Sequence, residues 1–233
     1  MKKARLSAEE RKTAIVRAAL PLFARKGYAE TTTKDLARAA GVSEPLLYKH
    51  FPSKEALYVE IQKLCGQGKD PASRKFNQLI TELEPSGSTL VHLVYYLVRL
   101  LVLEKPAGTI EWSTLQRLMV KSCLEDGAFA RLMYQNKFNR FCERIEACLD
   151  AAIKAGDAER TPLARGNGAR FAHHLAAWLA LVHLPSKPVI NYQVPREELV
   201  NEAVWFILLG MGMTRKAIAA YFNPKALGLF FDA

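Results

Sequence analysis

An all-α protein is predicted by three features of the sequence. Apolar residues recur at three- and four-residue spacing through most of the chain, capping residues stand before those runs, and strand-like alternation is lacking. The 233 residues are 50% hydrophobic and 24% charged, which is enough to bury a core and excludes wholesale disorder or a collagen-like architecture. The stretch Gly66-Gln67-Gly68-Lys69-Asp70-Pro71 breaks the pattern. It divides the chain into a small N-terminal domain, residues 7–68, and a larger helical domain, residues 69–233.

Ser7 and Glu10 form a capping box, in which each side chain satisfies a free backbone donor of the other at a helix start. Ala14, Ile15, Ala18, Ala19, Leu22 and Phe23 then share one stripe, so the first helix is expected from about Ser7 to Lys26, with Pro21 kinking its axis and Gly27 stopping it. A turn over Tyr28–Thr32 leads to a threonine cap and a short second helix that carries Leu36, Ala37 and Ala40 and ends at Gly41. Ser43 caps again, with Glu44 and Pro45 in the first turn of a helix expected over Glu44–His50. Val42, Leu47 and Phe51 anchor its inner side, which leaves Glu44, Pro45, Leu46, Tyr48, Lys49 and His50 for its outer face. Pro52-Ser53-Lys54-Glu55 opens a fourth helix through Leu57, Tyr58 and Ile61. Beyond the break, helices are expected over roughly 73–83, 88–104, 109–124, 126–155, 163–184 and 196–221.

Two short helices joined by a tight glycine turn and packed on a longer first helix make a helix-turn-helix, about residues 32–51, whose second member fits a DNA major groove. The run from Thr31 through Lys34-Asp35-Leu36-Ala37, Gly41-Val42-Ser43 and Leu47-Tyr48-Lys49-His50-Phe51 to Ser53-Lys54-Glu55-Ala56-Leu57 closely resembles the DNA-binding signature of the TetR family of transcriptional regulators. The likeness covers about residues 7–68. It implies phosphate contacts from Thr33 and Lys54 at the starts of the second and fourth helices, and a DNA-facing Tyr48 and His50. Free N–H groups and the positive end of a helix suit a phosphate, and Lys54 adds a full charge. Such contacts set register without reading sequence.

Ser43, Glu44, Pro45, Leu46 and Lys49 complete the DNA-binding candidates at the reading helix. A solvent-facing Leu46 suits a thymine methyl, Glu44 can accept from a cytosine amino group or serve the helix dipole, and Lys49 can reach guanine or phosphate. The arm Lys2, Lys3 and Arg5 can enter a groove or stay disordered.

For the remainder, the resemblance implies a bundle that binds a small-molecule effector and forms a homodimer through its last two long helices. Residues 171–182, rich in small side chains, and 203–211, apolar nearly all round, fit those two helices; burial within one chain is the competing reading. His92, Tyr95, Tyr96, Arg99, Trp112, Met119, Met133, Tyr134, Phe138 and Trp178 are the candidates for the ligand pocket, although each also fits an ordinary core position. His92 and Arg99, seven residues apart among apolar neighbours, are the best polar anchors.

Net charge supports the division. Residues 1–63 hold thirteen Lys+Arg against seven Asp+Glu, six of the ten excess positive charges, which points that segment toward nucleic acid or an anionic surface, a solvated basic face without a partner being the competing reading. The two longest apolar runs, Leu90–Leu103 and Val204–Met213, are too short to span a bilayer, and the basic N-terminus is followed by Ser7-Ala8-Glu9-Glu10 rather than an apolar signal core. A cytoplasmic protein without a membrane partner is expected. Cys65, Cys123, Cys142 and Cys148 form no CxxC pair and read as reduced thiols, with a redox role for Cys142 and Cys148 the alternative. The adjacent His173 and His174 point to different helix faces, so neither a metal nor a cofactor is expected. With no GxSxG, HExxH, P-loop or dinucleotide-binding turn, an enzyme has no positive support. The expected function is a ligand-responsive, sequence-specific transcriptional regulator, in this family most often a repressor, on a palindromic operator. A non-specific basic DNA-binding protein is the alternative.

Overall fold

The computed structural model describes residues 7–66, 78, 81–103 and 112–232. These residues are all-α: α1 (Ala8–Lys26), α2 (Thr33–Ala40), α3 (Glu44–His50), α4 (Lys54–Gly66), α5 (Gly87–Val102), α6 (Trp112–Leu124), α7 (Ala128–Met133), a π-helical turn (Tyr134–Phe138), α8 (Asn139–Ala155), α9 (Asn167–Leu181), α10 (Arg196–Gly210), α11 (Arg215–Tyr221) and α12 (Pro224–Asp232). The helix expected over 73–83 lies largely outside the described residues.

Two compact units emerge, and the chain crosses between them more than once. The first comprises Met1–Lys69 and Pro106–Lys137, the second Asp70–Lys105 and Phe138–Ala233. Sequence places one boundary after residue 68; the structure adds α6 and α7 to the N-terminal unit. The reason is apolar burial. Leu118 of α6 and Phe129 of α7, 1% and 0% exposed, join Ile15, Phe23, Leu36, Leu47, Phe51, Leu57, Tyr58 and Ile61 in one core. Phe23, Tyr28, Tyr58 and Phe129 form a chain of rings with centroid spacings of 4.8 to 6.0 Å, in the range where aromatic edges meet faces.

In the second unit α5 is the central element. Leu90, Val91, Leu93, Val94 and Val98 are fully enclosed, and α8, α9, α10, α11 and α12 all pack on this helix. The alanines of α9 (Ala169, Ala172, Ala176 and Ala180) are buried and permit the close approach. Sequence runs residues 196–221 as one helix, and this is corrected. Gly212 adopts φ +95, and a Cβ there would strike the backbone oxygen of Glu159, so the chain turns, pairs Met213 with Ala158 and restarts from the Thr214 cap. The carboxylate of Asp157 accepts from the Tyr221 hydroxyl at 3.0 Å and fastens α11. Helix α12 is an element the sequence reading does not place.

Candidate nucleic-acid interface

The turn between α2 and α3 is built from local chemistry. Thr32 and Asp35 close a capping box at the start of α2. Lys26 Nζ donates to the Asp35 carboxylate at 2.8 Å, and this bond, ahead of those from Thr32, holds the carboxyl at about 2, well below its ordinary range. Gly41 lies in the left-handed region at φ 63, where a side chain is disfavoured, and lets the N–H groups of Gly41 and Val42 return to Arg38 and Ala37. Only Val42 separates that turn from Ser43, whose hydroxyl accepts from the Leu46 N–H at 3.3 Å. Leu47 and Phe51, 3% and 2% exposed, fix α3 from beneath. The buried Thr31 donates to the Gly27 carbonyl at 2.6 Å and so ties the turn before α2.

This frame presents Pro45, Tyr48 and Lys49 outward as exposed side chains, with His50 and Glu44 partly covered beside them. Thr33, Tyr48, Ser53 and Lys54 share the rim of one crevice floored by Leu36, Leu47, Phe51 and Leu57. Thus residues from the starts of α2 and α4 and the face of α3 converge at one place on the first unit. Two positions differ from expectation. Leu46 is partly buried rather than fully solvent-facing, and Glu44 accepts from the Thr33 hydroxyl at 3.2 Å, which joins α2 to α3. Lys54 is also engaged. Its ammonium donates to the Tyr28 carbonyl at 2.8 Å and stands 4.3 Å from the centre of the Tyr28 ring.

Sequence reads Tyr28 only as part of a turn. In the structure its hydroxyl donates to Glu55, its N–H donates to the Glu125 carboxylate at 3.0 Å, and its carbonyl receives Lys54. Burial and then the bond to Glu55 push the Tyr28 phenol well up, while the same bond draws the Glu55 carboxyl down to about 2. Tyr28, Glu55, Tyr58, Val59, Asp126 and Ala128 line a neighbouring cleft of about 240 Å³. No local pattern announces Glu125, which lies 97 residues from Tyr28.

The ten pocket candidates do not assemble into one wall. Met119 and Met133 pack against the core of the first unit, since their helices belong to it. Trp178 is 60% exposed on the outer side of α9 and is corrected from pocket wall to surface residue; the alanine face of that helix has taken the inward side. Tyr95 and Tyr96 are buried in the second unit, Tyr95 against Phe222, with the partly buried His92 and Arg99 on the same helix. Burial lowers the His92 imidazole and favours its neutral form. Tyr134 is partly buried, and the Trp112 side chain lies outside the described residues. Phe138 lies 4.6 Å, centre to centre, from the His173 ring; burial, then the neighbouring His174, lowers that imidazole to about 4. Among the described residues no group of three or more His, Cys, Asp or Glu is arranged for a metal, and no helix is long and apolar enough to cross a membrane. Burial raises the thiols of Cys142 and Cys148, which is the reverse of activation.

A capped helix, a left-handed glycine turn and a second capped helix with an outward polar face define a helix-turn-helix DNA-binding domain. Residues 15–61 match the family described as bacterial regulatory proteins, tetR family. Residues 15–61 are therefore a DNA-binding domain of the tetR type. It is 43% identical over 58 residues to the HTH-type transcriptional regulator EthR of Mycolicibacterium smegmatis, a match covering 25% of this chain and 27% of that protein. It is 29% identical over 147 residues to the HTH-type transcriptional repressor KstR2 of Rhodococcus jostii, covering 63% of this chain and 67% of that one. Similar solved structures include the ketosteroid transcriptional regulator KstR2 of Mycobacterium tuberculosis, at TM-score 0.61 and 16% identity over 88% of this chain and 96% of that one. Another is the TetR family transcriptional regulator PfmR of Thermus thermophilus, at TM-score 0.60 and 22% identity over 91% of this chain and 100% of that one.

Proposed function

We propose that the protein is a sequence-specific transcriptional repressor that binds a palindromic operator as a homodimer and responds to a small-molecule effector. The observation that carries this reading is the convergence of Thr33, Tyr48 and Lys54 around α3 while the outer face of that helix stays open. Thr33 and Lys54 hold the backbone and set register; Pro45, Leu46, Tyr48, Lys49 and His50 meet base edges and flanking phosphates; Glu44 and Ser43 stiffen the helix that carries them.

Two copies are favoured by the apolar side chains that the second unit turns outward. Phe171 and Trp178 on α9 are 54% and 60% exposed, and Phe206 on α10 is 70% exposed. Covering them with a second copy removes that surface from water and sets two reading helices on one duplex. The effector is assigned to the second unit, near His92 and Arg99 on α5, where polar groups stand within an apolar helix. Two relatives are regulators named for repression or for ketosteroids, which supports repression and an apolar effector class.

Selection of bound fragments from a random DNA pool tests the reading. The expected result is a palindrome whose half-sites are spaced by about 34–36 Å or a multiple of it. Binding that enriches no sequence would replace this function with that of a non-specific basic protein.

A further inference from the structure

If the first unit is a DNA-binding head, as proposed above, that head depends on a residue outside the helix-turn-helix. Helix α4 begins with Lys54, and its ammonium is placed by an acceptor at 2.8 Å, the Tyr28 carbonyl. The Gly27–Tyr28 peptide is held on one side by Thr31, whose hydroxyl donates to the Gly27 carbonyl at 2.6 Å. What fixes it on the other side is Glu125, at the end of α6, which accepts the Tyr28 N–H at 3.0 Å. The carboxylate sits so close over Gly27 that a Cβ at that residue would collide with it. Thus one carboxylate grips one side of Tyr28, and Lys54 hangs from the other.

We propose that Glu125 is a positioning residue for DNA binding: by clamping the Gly27–Tyr28 backbone it sets where the Lys54 ammonium stands relative to the start of α4, and so whether that charge can reach a phosphate. The α6–α7 turn is then the handle of the reading head. Glu125 itself touches no DNA, and as an exposed acidic group it would only weaken the attraction to a polyanion if it acted through its charge. Charge and clamp therefore predict opposite signs for its removal.

The test uses the full chain and the operator fragment selected from the random pool. Glu125→Ala should lower affinity about tenfold and reduce the slope of log affinity against log salt by about one, the signature of one lost phosphate contact. Glu125→Gln, which keeps an acceptor oxygen but no charge, should retain wild-type affinity and slope. In a Lys54→Ala background, Glu125→Ala should add no further loss, since the effect runs through that ammonium. Circular dichroism melts report whether each variant keeps the fold. Unchanged or tighter binding by Glu125→Ala, or a full loss superimposed on Lys54→Ala, would overturn the role of Glu125 while the DNA-binding reading stands. A wild-type protein that selects no DNA would overturn both.

Discussion

In the first unit the large aromatic side chains Phe23, Phe51, Tyr58 and Phe129 are turned inward, and the face around α3 is left to Pro45, Tyr48, Lys49 and His50. In the second unit α9 and α10 do the reverse with their aromatics. Both hold small or branched residues against α5 and send Phe171, Trp178 and Phe206 outward. The difference shows two kinds of unfinished surface. A polar, capped face with a core beneath it is complete as a solute and becomes useful when it meets a charged polymer, whereas an aromatic face loses free energy to water until another apolar face covers it.

The strongest way to break this comparison is to attack the head from outside its own sequence segment. Phe129→Ala empties a fully enclosed site shared with Tyr58 and should cost about 3–5 kcal/mol in urea unfolding. A loss below about 1 kcal/mol would mean that α7 is not part of that core. The next effect belongs to the second unit. His173 is held neutral down to about pH 4, whereas the unfolded imidazole takes its proton near pH 6.5, so the unfolded state binds more protons between those values. Stability is then fully present above about pH 6.5 and falls by up to about 3 kcal/mol as the pH drops toward 4. The slope should flatten in His173→Gln; an identical pH profile for the two proteins would remove His173 as its source.

A smaller effect is expected at the outward aromatics. Trp178→Ala and Phe206→Ala should each weaken self-association by about 2 kcal/mol, roughly thirtyfold, in sedimentation at graded concentrations. Dimers of undiminished affinity would place the contact elsewhere. The smallest effect is at the reading face, where Leu46→Ala should cost about 1 kcal/mol on the selected operator and relax preference at one base pair. Equal loss on all sequences would assign Leu46 to support of α3, in keeping with its partial burial.

What is legible in the sequence follows from the range of each interaction. The helix-turn-helix can be read because its signals act within four residues: Thr32 to Asp35, Ser43 to Leu46, and Gly41 to Ala37. The same local logic fails where a distant partner decides. The affiliation of α6 and α7 with the head depends on Leu118 and Phe129 meeting a core drawn from Ile15 to Ile61, far upstream in sequence, and nothing around them marks it. Local signals put Lys54 at a helix start, yet its Tyr28 partner is set by a fold no local pattern describes. Size and apolarity point Trp178 toward a pocket, and neither property says which side of α9 the alanines will occupy. At Gly212 the hydrophobic pattern runs on across the break; the close approach of the Glu159 backbone is what demands glycine.

The divided first unit also orders events on the ribosome. Chains emerge N-terminus first at about 5–20 residues per second, and domains generally fold as units once their last element is out. Here the helix-turn-helix is synthesised early but its core stays open until Leu118 and Phe129 arrive. Until then the nascent segment lacks part of the packing that covers side chains such as Phe23 and Tyr58 in the folded unit. The core of the first unit is therefore complete only after more than half of the chain has been made.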